Sequence, residues 1–174
     1  MICPDCKTLN IAGAEFCAGC GTDLHALALP AVGDEFTAHL VDDRLGDLVA
    51  RDHPVVGPRD PIALAVHLMQ RQETGCVLVY ENGKLAGILT ERDVLLKAAG
   101  EKVDANAVTV REIMTPDPVV LREDDSLALA LHAMSIGGFR HLPLVTRDGR
   151  PRVISIRDVF RHISPFIPAE ATRA

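Results

Sequence analysis

Short apolar runs alternate with stretches of helical period along most of this chain. Val77-Leu78-Val79 is an unbroken apolar run, Asn82-Gly83 follows it, and Leu85–Leu89 is apolar again. That pattern predicts a buried hairpin closed by a tight turn. Upstream, Ile62, Ala65, Val66 and Met69 recur at helical spacing behind Asp60-Pro61. Aspartate is a favoured N-cap and proline is pre-set for the first turn, so a helix is predicted to start there and to end by Gly75. Before it lie a short helical segment ending near Val49, a turn over residues 51–53 and an extended Pro54-Val55-Val56. After the hairpin, Thr90 opens a helix with its C-cap at Gly100.

The same order returns over residues 106–165. Val110–Met114 is predicted helical and Val119–Leu121 extended. Asp125 caps a helix through Met134, and strands at Leu142–Val145 and Val153–Ile154 flank Arg147-Asp148-Gly149. Ser155 opens the last helix. One constant offset of 65 carries Asp60, Ala63, Leu64, Ala65, His67 and Met69 onto Asp125, Ala128, Leu129, Ala130, His132 and Met134, and carries Thr90 and Asp93 onto Ser155 and Asp158. So long a register is an internal duplication.

Each copy closes its last strand with a hydroxyl residue and an aspartate three positions on, Thr90-x-x-Asp93 and Ser155-x-x-Asp158. Two roles fit. The pair is a capping box with Asp in place of the usual Glu. It is also suited to a nucleotide, because a helix start offers unpaired N–H groups to phosphate and the carboxylate accepts both hydrogens of a ribose diol.

These residues, with Gly87-Ile88-Leu89, Ile113-Met114-Thr115-Pro116-Asp117-Pro118 and His141-Leu142-Pro143-Leu144-Val145, make residues 41–163 resemble a tandem pair of cystathionine-β-synthase (CBS) domains. The resemblance implies an α/β (α+β type) fold with pseudo-two-fold symmetry, a non-enzymatic regulatory role, a flat homodimer and an adenosine compound such as AMP, ADP or ATP held between repeats. Carried over residue by residue, one site uses Thr90 and Asp93 with Met114, Thr115, Val119 and Phe139-Arg140-His141. The other uses Ser155 and Asp158 with Val49, Pro54, Thr74, Gly75 and Cys76. The Asp93 site is expected to suit a charged nucleotide better. The second copy has Arg152 where the first has Gly87, which either crowds that cleft or sends Arg152 or Arg157 to a phosphate.

Residues 1–24 hold four of the five cysteines, Cys3, Cys6, Cys17 and Cys20, spaced C-x2-C-x10-C-x2-C. Two such knuckles deliver four thiolates to a tetrahedral, structural zinc ion, with two disulfides as the alternative. Gly21 suits a knuckle that needs positive φ. The segment resembles the short zinc ribbons of many bacterial and archaeal proteins. It carries Lys7 against Asp5, Glu15 and Asp23, so protein contact is expected over nucleic acid.

Composition narrows the remainder. The 174 residues are 48% hydrophobic but only 3% aromatic, and the net charge is −6. The core must be aliphatic, and neither charge nor aromatics favour nucleic acid. No apolar run approaches a membrane span and no leader pattern opens the sequence as given, so a cytoplasmic protein is expected. Residues 25–40 are expected to be a linker or a short docked element, 41–100 and 106–165 the two repeats, and 166–174 a loosely packed tail. Cys76 is expected to be a small buried group, and His67 and His132 packing residues. The competing function is an interaction adaptor in which the CBS pair only dimerises and the ribbon docks a partner.

Overall fold

The computed structural model describes residues 3, 5–11, 14–22, 24, 35–48, 52–98 and 104–167. Val49, Gly100, residues 25–34 of the linker and 168–174 of the tail lie outside them. Helices α1 (Glu35–Asp42) and α2 (Leu45–Leu48) lead into strand β1 (Val55–Val56), helix α3 (Ile62–Gln72), strands β2 (Cys76–Glu81) and β3 (Lys84–Thr90) and helix α4 (Glu91–Ala98). The second copy comprises α5 (Val110–Ile113), β4 (Thr115–Pro116), β5 (Leu121–Arg122), α6 (Leu127–Gly137), β6 (His141–Val145), β7 (Arg152–Ser155) and α7 (Ile156–Ile163), ending in a 3-10 turn at Ser164–Phe166.

Two sheets result, in the orders β1-β2-β3-β4 and β5-β6-β7. In each, a short strand runs parallel to the first strand of a hairpin, with Val55 opposite Leu78 and Leu121 opposite Leu144. Asn82 (φ 53°) and Gly83 (φ 76°) supply the left-handed pair that a two-residue hairpin turn requires. β4 was not foreseen. Thr115 pairs with Ile88 and Pro116 with Gly87, so the second copy adds an edge to the first copy's sheet. Gly87 is required there, since a Cβ would lie 2.7 Å from Met114 Sδ and 2.9 Å from the Thr115 carbonyl.

The repeats exchange their opening helices. Leu45, with Leu48, Phe36 and Leu40, packs into the second repeat's core of Leu127, Ala130, Met134, Leu142, Ile154 and Val159. Val110 and Ile113 pack reciprocally among Val56, Ile62, Ala65, Met69, Val77, Val79 and Leu89 of the first. Backbone bonds lock both exchanges at the repeat offset. The Leu45 amide donates to the Asp125 carbonyl (3.0 Å) and the Val110 amide to that of Asp60 (2.8 Å). A third cluster, Cys76, Leu78, Ile88 and Val153, joins the two hairpins.

The caps differ from expectation. Asp60 accepts from the Gly57 amide at 2.7 Å and Asp125 from that of Arg122 at 2.7 Å, so both close the turn before their helix. The helix N-caps are Pro61, without a side-chain bond, and Ser126, which accepts from Leu129 N. Amides freed at the start of α3 bond across the repeats, Ile62 to the Val108 carbonyl and Ala63 to that of Ala105. Left-handed Glu73 (φ 51°), not Gly75, caps the end of α3. Residues 35–40 of the expected linker are helical, and Phe166 of the expected tail stacks on His39 with ring centroids 3.6 Å apart.

Candidate functional site

Both hydroxyl–aspartate pairs form the capping box. Oδ2 of Asp93 accepts from the Thr90 amide (3.1 Å) and hydroxyl (2.6 Å), while Oδ2 of Asp158 accepts from the Ser155 amide (2.9 Å) and hydroxyl (2.5 Å). The first helical amides are fixed alike, Glu91 N to the Gly75 carbonyl at 3.1 Å and Ile156 N to the Arg140 carbonyl at 2.9 Å. One carboxylate oxygen in each copy is therefore spent on the fold.

What happens to the other oxygen separates the copies. Oδ1 of Asp93 accepts from Lys97 Nζ at 3.0 Å and from the Thr115 hydroxyl at 3.3 Å. Lys97 also donates to the Ile113 carbonyl at 2.8 Å, which ties this corner shut. Although burial opposes it, the Thr90 and Lys97 bonds hold the Asp93 carboxyl below its ordinary range. The position equivalent to Lys97 is His162, and it turns away to Asp43. Among the described residues, nothing donates to Oδ1 of Asp158.

Asp158 and Ser155 line an open cleft of about 860 Å³. Its apolar lining is Leu48, Met69, Val153 and Ile156; its polar lining includes Thr74, Gly75, Arg140, His141, Arg157 and Arg161, together with Glu73 and Glu91. The volume falls within the range of small-molecule sites. Arg140, Arg157 and Arg161 form no ion pair with any described residue. Gly75 permits the narrow approach of the two repeats, since a Cβ there would lie 2.8 Å from His141 Nε2. Burial lowers the His141 pKa against the opposing charges of Glu91 and Asp158, which keeps the ring neutral near pH 7.

Thr74, Gly75, Ser155 and Asp158 thus meet in one cleft, while Pro54 and Cys76 are buried behind its surface. Arg140 and His141, expected beside Asp93, stand in the Asp158 cleft instead. The antiparallel pairing of His141 with Ser155 puts them next to their own repeat's helix start. The Asp93 site was expected to suit a charged nucleotide better, yet Arg140, Arg157 and Arg161 all line the Asp158 cleft. Around Asp93, Thr115 reaches the carboxylate and Met114 covers Gly87. Phe139 packs on the second repeat's core, and Val119 is exposed. Arg152 neither crowds the cleft nor reaches into it; it fans onto Asp148 (2.8 Å), Asp52 (3.7 Å) and Glu123 (3.8 Å). Arg161 was overlooked, although its four-residue spacing from Arg157 places both on one helix face. Burial pushes the Cys76 thiol up to about 12, with Glu91 and Asp158 adding to it, so it carries no thiolate at neutral pH.

The four N-terminal cysteines converge. Cys3 and Cys20 sulfurs lie 3.6 Å apart, Cys6 and Cys17 sulfurs 3.5 Å, and all four fall within 4.8 Å of one another. Four thiolates at the zinc–sulfur distance stand about 3.8 Å apart, so the donor set fits that ion. The knuckles repeat each other. Lys7 (φ 60°) donates its amide to the Cys3 carbonyl, and Gly21 (φ 74°) donates its own to that of Cys17. Although burial opposes it, the Gly19 and Cys20 amides, with Asn10, draw the Cys17 thiol down to about 6. Cys20 is pushed up to about 11 despite its Thr22 hydrogen bonds, because Cys6 and Cys3 lie against it. A bound cation would displace the remaining thiol protons and be held by four thiolates. Among the described residues, only Leu24 and Ala14 join the cysteines in a core here, so a bound ion would supply the folding energy.

Comparison with known proteins agrees with this architecture. The CBS domain pattern matches twice, over residues 45–100 and 110–165. An uncharacterized 17.7 kDa protein of Acidianus ambivalens is 35% identical over 109 residues, covering 62% of this chain and 65% of that one. The CBS domain-containing protein CBSCBSPB3 of Arabidopsis thaliana is 32% identical over 95 residues, 55% of this chain, yet the match spans only 17% of that protein's length. The crystal structure of a CBS-domain containing protein from Agrobacterium tumefaciens superposes with a TM-score of 0.62 at 31% identity, covering 68% of this chain and 98% of that one. CBSX2, solved in complex with AMP, superposes at 0.59 with 22% identity over 71% and 97% of the two chains. With two matched copies filling most of its length, this chain belongs to the CBS-domain family.

Proposed function

We propose that this protein is a regulatory module that binds an adenosine phosphate of the AMP/ADP/ATP class in the Asp158 cleft and transmits the event to a second subunit or partner. The supporting observation is that Asp158, whose Oδ1 accepts from no described residue, shares one cleft with Leu48, Met69 and Ile156 and with Arg140, Arg157 and Arg161, which pair with no described carboxylate. In this reading Asp158 takes the ribose hydroxyls, Leu48, Met69 and Ile156 flank the base, and Arg157 with Arg140 or Arg161 meets phosphate. The complex of CBSX2 with AMP is consistent with it. Exposed Leu95, Leu96 and Phe160 on α4 and α7 provide the apolar surface for homodimerisation. Zinc held by Cys3, Cys6, Cys17 and Cys20 folds the N-terminal module, whose thiols suit a reducing cytoplasm. Partner docking is assigned to that module.

A thermal-shift and calorimetric screen of the full chain with AMP, ATP, NADH and S-adenosylmethionine tests the reading. A ligand that binds only the native state raises the melting midpoint. The capping of both helices by their own aspartates favours the adaptor alternative, and a flat response to every adenosine compound would establish it over the sensor.

A further inference from the structure

A second cluster of metal-binding groups lies outside the cleft and the cysteine module. His39 and Asp43 sit one turn apart on and just past α1, and His162 comes from the last turn of α7. His39 Nδ1 lies 2.8 Å and His162 Nε2 2.5 Å from the same oxygen, Asp43 Oδ2. All three donor atoms lie within 4.8 Å of one another. Phe166 stacks on the His39 ring at an interplanar angle of 21°, and the His162 ring stands nearly perpendicular to His39 at 78°. Both imidazoles are therefore held with a nitrogen directed at one carboxylate.

We propose that His39, Asp43 and His162 form a binding site for a divalent transition-metal ion of the zinc or cobalt type, separate from the four cysteines. Two imidazoles and one carboxylate suit such ions rather than magnesium or calcium, which take oxygen ligands. Tetrahedral zinc at about 2.0–2.2 Å from nitrogen and oxygen needs donors about 3.4 Å apart. Asp43 would retreat from the imidazoles by less than about 1 Å, a small side-chain rotation. The three side chains are 30%, 23% and 30% exposed, so an ion reaches them and water completes its coordination.

The position gives the ion a role. Helix α1 follows the stretch leading from the cysteine module, and α7 begins at Ser155 and Asp158. A metal at this junction would bolt the two together, one turn beyond the cleft's Asp158.

Cobalt(II) titration of the full chain, prepared free of metal under reducing conditions, tests the proposal. Sulfur ligation gives intense near-ultraviolet charge-transfer bands; a two-histidine, one-carboxylate site gives a weak visible band without them. The wild type is expected to bind two ions, one of each signature. Cys17→Ser/Cys20→Ser should lose the sulfur bands and keep the weak band. His39→Ala and His162→Ala should take up one ion and keep the sulfur bands, whereas His67→Ala should still take up two. A wild type that takes up one ion with sulfur bands alone overturns the site, without reference to variant folding. So does uptake of two ions by the folded His39→Ala/His162→Ala double variant. Nucleotide titration is not needed for either readout, so this outcome stands apart from that of the cleft.

Discussion

The two repeats carry the same hydroxyl–aspartate pair at the same helix start, yet only one leaves the carboxylate open. In the first, Lys97 sits one turn beyond Asp93 and neutralises it; in the second, His162 holds that position and is drawn off to Asp43. The edge beside each pair differs too. Gly87 lets β4 press against β3, whereas Arg152 spends its guanidinium on Asp148, Asp52 and Glu123. Duplication supplies two hydroxyl–aspartate helix starts, and the Lys97 and Thr115 donors beside Asp93, which find no counterpart among the described residues at Asp158, decide which has an unsatisfied acceptor.

The largest effect should come from the exchanged helices, which make the repeats mutually dependent. Fully buried Leu45 belongs by sequence to the first repeat and by packing to the second. Leu45→Ala is expected to cost about 2–5 kcal/mol in denaturant unfolding. Hydrogen exchange should rise first in α6 and β6, with Val110→Ala giving the mirror pattern in α3 and β2. Exchange rising around β2 in Leu45→Ala would break the picture.

Next, Asp158→Ala should weaken AMP binding about ten- to hundredfold by calorimetry, while Asp93→Ala changes it by less than about twofold. Equal losses would erase the asymmetry. Gly87→Ala should cost about 1–3 kcal/mol, because the added methyl meets backbone that cannot move aside. Removing Arg152, whose nearer partners Asp148 and Asp52 are almost half exposed, should cost less than about 1 kcal/mol.

The smallest effect is electrostatic. Asp93 titrates below its ordinary value when folded, so the unfolded chain takes up the proton first as pH falls. Its contribution is complete above that range, shrinks below about pH 4 and vanishes once pH drops under the depressed folded value. Asp93→Asn should flatten this part of the acid-unfolding profile. Lys97→Ala should shrink it, by less than about 1 kcal/mol since Lys97 is half exposed. Lys97→Ala should also sharpen the comparison: Oδ1 of Asp93 keeps the Thr115 hydroxyl at 3.3 Å, so AMP binding should stay at one site by calorimetry.

Much of the architecture was legible in the chain. The hairpins at Asn82-Gly83 and Arg147–Gly149 announce themselves by turn chemistry, α3 by its apolar period, and α6 and α7 by the residues that open them and by the repeat. Asp60 and Asp125 misled, because an aspartate before a helix serves equally well in the preceding turn, and only the backbone path chooses. β4 escaped notice because two residues of Thr-Pro have no period to detect. Arg140 and His141 were identified as ligand candidates but set beside the wrong aspartate, since their side of the sheet follows from the register between His141 and Ser155.

The sequence alone determined the duplication, the element order, the four-thiol set and the two hydroxyl–aspartate helix starts. Those features rest on local periodicity, turn preference and spacing, which need no knowledge of distant neighbours. Tertiary structure alone decided which aspartate keeps a free oxygen, which repeat's core each opening helix completes, and that His39, Asp43 and His162 meet. Each of those depends on where a side chain turns once segments far apart in sequence are packed together.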